Sequence, residues 1–324
     1  MNKPPNTMRA VVLQKFGGPD ELVHREIAVP ELGPEEVLIR VAYAGVGEWD
    51  AFEREGGYAD MLNMRPQFPY VLGSEGSGTV VARGEKVSNV DLGEPVYASA
   101  FLNPKGGFYA EYAAVPAKYV TRMPEGLTMR EAAVISGVGI TALRGLEDVL
   151  ALRQGESILI FGAGGGVGHM AVQLAKCLGA RVFGVASGED GVAMVKRLGC
   201  DAVANGREGD FLSKAFEFAP EGFDAALFTA GGEAADAAAG CLRPGGRIAF
   251  PHGIRPSLGN VEHVRVTGYY GEPDPDIMDR LRRYISRNRL TAHISHTIAL
   301  KDAREAHAVL SRHYLGKISL QVNP

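Results

Sequence analysis

The sequence predicts an α/β protein in which a doubly wound parallel sheet is inserted into a domain of short β-strands. Three observations carry this. Ser157 to Gly179 reads SILIFGAGGGVGHMAVQLAKCLG, a short apolar run, a glycine cluster and then apolar residues at helical spacing. Met8 to about Val120 is a series of short alternating runs broken by Gly and Pro, which is the pattern of antiparallel strands. From Thr128 onward strand and helix patterns alternate, as in a parallel sheet covered on both faces.

In chain order, the first part contributes the strand runs RAVVLQ, EVLIRVAYAGV, GSGTVVARG, EPVYASA and YAEYAAVP. Thr128 followed by Glu131 three residues on is a capping-box signature, and helix-period apolar residues follow it. Then come SILIF, the helix to Leu178, RVFGV, VAMVKRLG, DAVAN, FLSKAFEFA, DAALFTA, EAADAAAGCL, GRIAF and VRVTGYY. Two further helices, IMDRLRRYISRN and KDAREAHAVLSRH, precede a closing strand KISLQV. A β domain needs its edges covered, so the tail is expected to return to the first part. The expected division is 1–125 and 272–324 for the β domain, with 126–271 between them as the nucleotide domain.

Gly162, Gly165 and Gly168 fall three apart, with Gly166 and Val167 opening the helix. One glycine allows the sharp turn, one allows a pyrophosphate to approach bare backbone N–H groups, and one allows helix and strand to pack closely. The positive end of the helix dipole completes an anion site. A glycine-rich turn alone is a weak signal. The strand before it and a second strand, Arg181 to Val185, make it one βαβ unit and a dinucleotide site. An acid at the end of that second strand would hold the ribose diol of NAD. Ala186 stands there instead, which favours NADPH, with Ser187 and Arg207 as partners for the extra phosphate. Glu189 and Asp190 count against this unless they face solvent at the next helix start, where acids suit the dipole.

Composition narrows the class. At 324 residues the chain is long enough for two domains, and 46% hydrophobic with 22% charged residues describes an ordinary globular protein. A net charge of −4 with no Lys/Arg-rich run argues against nucleic acid and membrane partners. The three cysteines, Cys177, Cys200 and Cys241, are scattered and read as small buried hydrophobes in a reducing compartment. MNKPPNT lacks an apolar core segment and is read as a loose leader, not a secretory signal, so a cytoplasmic enzyme is expected.

Several blocks together resemble the medium-chain dehydrogenase/reductase superfamily, within it the zinc-free quinone oxidoreductase branch. They are MRAVVLQKFGGPDEL, PYVLGSEGSGTVVARGEKVSNVDLGEPVYA, GGFYAEYAAVPAKYVTRMPEGLTMREAAVISGVGITAL, GAGGGVG, LRPGGRIAFPHG and GKISL, in that order over nearly the whole chain. The resemblance implies a GroES-like β domain plus a Rossmann domain, substrate and nicotinamide meeting in the cleft between them, and subunits that pair as a homodimer. Zinc alcohol dehydrogenases carry Cys and His where this chain has Gly47 and Ser74, and neither can ligate zinc as those do. No zinc is therefore expected, and loss of the Lewis acid argues against alcohol oxidation.

By the same resemblance the nicotinamide lies near Gly47 and Thr141, flanked by Thr229, Gly231 and Gly253. Lys317 either reaches the cofactor or is a solvated surface lysine. Tyr58 matches a family tyrosine and is the candidate hydrogen-bond or proton donor to substrate, while Gly47 and Phe52 depart from a common Asn and Tyr. Asp50 is expected to order its loop. Trp49 either lines the cleft for a flat substrate or packs in the ordinary way. The expected activity is NADPH-dependent reduction of quinones or α,β-unsaturated carbonyls. The alternatives are enoyl-thioester reduction and a non-catalytic NADPH-binding role.

Overall fold

The computed structural model describes residues 4–254 and 263–323. Along the chain the strands are β1 Thr7–Leu13, β2 Leu22–Ala28, β3 Glu36–Val46, β4 Tyr70–Val71, β5 Glu75–Arg83, β6 Pro95–Ser99, β7 Tyr112–Pro116 and β8 Val120–Arg122. They continue as β9 Ser157–Phe161, β10 Arg181–Ala186, β11 Ala202–Asn205, β12 Phe223–Phe228, β13 Leu242–Pro251, β14 Arg265–Tyr269, β15 Ile294–Ala299 and β16 Lys317–Gln321. The helices are α1 Glu48–Arg54, α2 Gly57–Leu62, α3 Met129–Leu143, α4 Gly166–Cys177, α5 Gly188–Arg197, α6 Phe211–Phe218, α7 Glu233–Ala239, α8 Pro275–Asn288 and α9 Ala303–Leu310.

Two compact units result. One is Met1–Gly137 with Pro273–Pro324, the other Val138–Glu272. The boundary lies within α3 and not before it, because the start of that helix belongs with the β unit: Ser136 Oγ and the Gly137 amide both donate to Glu75 on β5. The first unit is GroES-like. Its larger sheet runs β15-β16-β3-β5-β6-β8, with β7 on β3, and a smaller one runs β2-β1-β4. The closing strand does return: β16 pairs antiparallel with β3, Ile318 opposite Val46. The pairing of β15 with β16 is parallel, unlike the other pairings of this sheet. The core here includes Val11, Leu13, Ile39, Val80, Phe108 and Ile318. The segment around Asp50, expected to be a loop, forms α1, and α2 follows it.

The second unit is a Rossmann sheet, all parallel, in the order β11-β10-β9-β12-β13-β14. Every residue of β9 is buried, as the apolar run requires of a central parallel strand. Strand order reverses between β9 and β12. Ligands of such sheets bind beyond the carboxyl ends of the strands at that reversal.

The capping box at α3 is present. The Thr128 amide donates to Glu131 Oε2 at 3.0 Å and the Glu131 amide donates to Thr128 Oγ1 at 3.2 Å. Thr128→Ala is expected to lower unfolding stability by about 1 kcal/mol, measured by urea titration. An unchanged midpoint would show that packing alone holds the helix start.

Candidate functional site

The three glycines of the β9–α4 turn do three different things. Gly162 has φ +80, where a Cβ would also stand 2.6 Å from Thr229 Oγ1. Gly168 presses α4 onto the strand, for a Cβ there would lie 2.1 Å from the Gly162 carbonyl oxygen. Gly165 is extended, at φ −81 and ψ −177, and a Cβ would meet only the Gly162 oxygen at 3.4 Å. One side of it is open and half-exposed. No side chain caps α4, so the amides of its first turn, Gly166, Val167 and Gly168, lack the intrahelical acceptors that later residues have. These amides could hold a diphosphate, and the turn fits a dinucleotide.

The neighbouring strand ends complete it. Thr229 Oγ1 donates to the carbonyls of Phe161 at 2.8 Å and Gly162 at 3.1 Å, lacing the end of β12 to the turn. Gly231, in the loop after β12, is exposed. Gly253 follows β13 with φ +104. Thr141 accepts a hydrogen bond at its carbonyl from Tyr269 at 2.9 Å. At the end of β10, Ala186 is buried while Ser187 and Arg207 are exposed. Asn205, which the sequence reading passed over, ties them together: its Oδ1 accepts from the Gly188 amide at 3.1 Å and the Arg207 amide at 3.2 Å. Its Nδ2 donates to Glu189 and Glu208, so Glu189 is turned to Asn205. An amide side chain at the end of a third strand is the signal that could have found it.

In the first unit the turn after β3 carries the other candidates. Gly47 is the residue before α1, and its amide donates to Asp50 Oδ2 at 2.8 Å. Asp50, expected to order a loop, instead lies in the first turn of α1 and holds the start of that helix. A Cβ on Gly47 would lie 2.7 Å from the Trp49 ring, so the indole fills the space a side chain at 47 would use. Tyr58 is half-buried on α2, edge-on between Phe52 at 4.8 Å and Phe101 at 4.7 Å. Those two phenylalanines are 45% and 37% exposed, leaving an apolar aromatic surface.

Lys317 is not a solvated lysine. Its side chain is 3% exposed and its ammonium sits 2.9 Å from Glu75 Oε1 and 4.1 Å from the centroid of the Trp49 ring. His307 is buried on α9, between Arg54 at 2.8 Å and the Tyr109 hydroxyl at 3.1 Å. Burial, then the Arg54 charge, pushes its pKa down to about 3, so it stays neutral. Burial pushes Asp50 up to about 7 against the pull of Lys317, and Glu53 up to about 8, with Asp50 adding to the rise. These partners come from opposite ends of the chain, and no local pattern announces them.

The fold and the turn define a protein of the two-domain dehydrogenase class. Residues 33–125 match the family described as alcohol dehydrogenase GroES-like domain, and residues 166–255 match the one described as zinc-binding dehydrogenase. Human quinone oxidoreductase is 36% identical over 215 residues, which are 66% of this chain and 63% of that protein. The chain therefore matches less than two thirds of that relative's length. Among solved structures, an alcohol dehydrogenase superfamily protein from Novosphingobium aromaticivorans is 30% identical with a TM-score of 0.86, covering 98% of this chain and 100% of the other. An NAD-dependent alcohol dehydrogenase is 29% identical with a TM-score of 0.89, again over 98% and 100%. The chain belongs to the medium-chain dehydrogenase/reductase superfamily, that of the alcohol dehydrogenases.

The residues present do not fit the metal that one family description names. Gly47 has no donor and its side-chain space is taken by Trp49, Ser74 is a buried hydroxyl, and Glu75 is engaged by an ammonium. Among the described residues no group of three His, Cys, Asp or Glu side chains could hold an ion.

Proposed function

We propose that the chain is an NADPH-dependent reductase of quinones or α,β-unsaturated carbonyls that works without zinc. The observation that carries the reading is the open face at Gly165, beside the uncapped amides of α4. When bound, the dihydronicotinamide supplies a hydride. Addition to a conjugated acceptor leaves an enolate or quinol anion whose charge is delocalised, so water suffices as proton source and no strong acid is needed. What remains for the protein is positioning. Thr229, Gly231, Gly253 and Thr141 line the nicotinamide end, and the Phe52, Tyr58 and Phe101 surface holds a flat apolar acceptor, with the Tyr58 phenol as its hydrogen-bond partner.

Preference for NADPH rests on Ala186 in place of an acid, with Ser187 and Arg207 for the 2′-phosphate. Hydrogen bonds to charged groups are worth about 1.5–3 kcal/mol, so Arg207→Ala is expected to raise the KM for NADPH about tenfold or more. The KM for NADH should hardly move. The assay follows NADPH absorbance with naphthoquinones and short enones, with and without EDTA. Equal effects on both nucleotides would remove the phosphate role of Arg207. Tight NADPH binding with no oxidation across the panel would favour a non-catalytic protein, and loss of activity in EDTA would restore a metal.

A further inference from the structure

Among the described residues of the first unit five buried polar side-chain atoms have no hydrogen-bond partner, and four of them lie together: Trp49 Nε1, Asp50 Oδ1, Glu75 Oε1 and Lys317 Nζ. They belong to one cluster, brought together by β16, β5 and the turn after β3. Lys317 and Glu75 are in ionic contact at 2.9 Å without hydrogen-bond alignment, their side chains 3% and 1% exposed. The other Glu75 oxygen is taken, accepting from Ser136 Oγ at 3.0 Å and the Gly137 amide at 2.7 Å. Only the ammonium therefore balances the charge on the first oxygen. Packing around it is tight: a Cβ on Gly45 would stand 2.5 Å from Glu75 Oε1, and one on Gly47 would enter the indole. A buried carboxylate stripped of its partner is strongly destabilising, so this cation is not incidental.

We infer that the Lys317 ammonium is the built-in cation of this turn, balancing Glu75 and holding the Trp49 ring in position by its charge. Lys317 is thus a positioning residue, acting through Glu75 and Trp49. The indole face attracts a cation at this distance, which keeps the ring over Lys317 and away from solvent. The inference concerns charge and not turnover, so it does not rest on the reductase reading.

Trp49 is the only tryptophan, so its fluorescence reports this site alone. Lys317→Ala is expected to shift its emission to the red, and added propylammonium, which replaces the lost atoms and their charge, should restore it. The neutral isostere 1-propanol should not, and Lys317→Arg should retain most of the parent emission. Unchanged emission in Lys317→Ala, or equal restoration by 1-propanol, would overturn the inference, since packing and not charge would then hold the ring. If the lone Glu75 charge prevents folding, Lys317→Ala combined with Glu75→Gln removes both charges. That protein should fold, show the shifted emission and ignore propylammonium. A response to propylammonium without the carboxylate would also overturn it. Because one ring's emission is read, the outcome stands apart from whatever the reductase assay returns.

Discussion

Gly165→Val is expected to fold as the parent does and to lose NADPH. At φ −81 and ψ −177 the backbone of residue 165 is comfortable for valine, and the only atom near its Cβ is the Gly162 oxygen at 3.4 Å. The added methyls then project from the open face of the turn, where a diphosphate must come within hydrogen-bonding distance of the α4 amides. A loss of at least a hundredfold in affinity, about 2.7 kcal/mol, is expected by fluorescence titration of NADPH. Gly168→Ala makes the contrast. Its Cβ would stand 2.1 Å from a backbone oxygen, so β9 and α4 must separate, and a drop in unfolding stability of at least 1–3 kcal/mol is expected. Undiminished NADPH affinity in a folded Gly165→Val protein would move the nucleotide elsewhere.

Stability of the first unit is expected to fall as pH rises from 6.5 to 8.5. Unfolded, Asp50 and Glu53 ionise near their ordinary values of 3.8 and 4.5; folded, they keep their protons to about 7 and about 8. Burial is the main cause in both. The folded state therefore binds more protons in that window, and stability is lost as pH climbs through the folded values. His307 acts oppositely. Neutral in the fold down to about 3, it takes a proton near 6.5 when unfolded, so its contribution weakens as pH drops below 6.5. Between about 4.5 and 6.5 the histidine offsets only one of the two carboxyl protons, so stability still falls with rising pH but at about half the slope. Above 6.5 the carboxyls act alone, and a loss of about 2–3 kcal/mol is expected, at about 1.4 kcal/mol per proton per pH unit. Urea unfolding followed by Trp49 emission measures it. In Asp50→Asn/Glu53→Gln the slope should vanish, and a slope that survives in that variant would assign the effect to other groups.

Much of this protein was legible in local pattern. The turn from Gly162 to Gly168 was readable because each glycine answers a constraint set within a few residues: a positive φ, an open face, a close crossing of strand and helix. The capping box at Thr128 and Glu131 is local in the same sense. The boundary inside α3 was not legible, for the residues that tie the start of that helix to the β unit are Ser136 and Gly137, whose partner Glu75 lies on a distant strand. Asn205 was visible as a residue and silent as a bridge.

What the amino-acid sequence by itself determined is therefore the inserted parallel sheet, the returning tail and the glycine turn between β9 and α4. Periodicity, caps and glycine conformation are properties of neighbouring residues. Only the tertiary structure decided the environment of the buried charges: that Lys317 faces Glu75 under an indole, and that Arg54 meets His307 across 253 residues of chain. A side chain's charge is written in its letter. The dielectric and the partners that set what this charge does come from strands distant in sequence, and exist only once the sheet has closed over them.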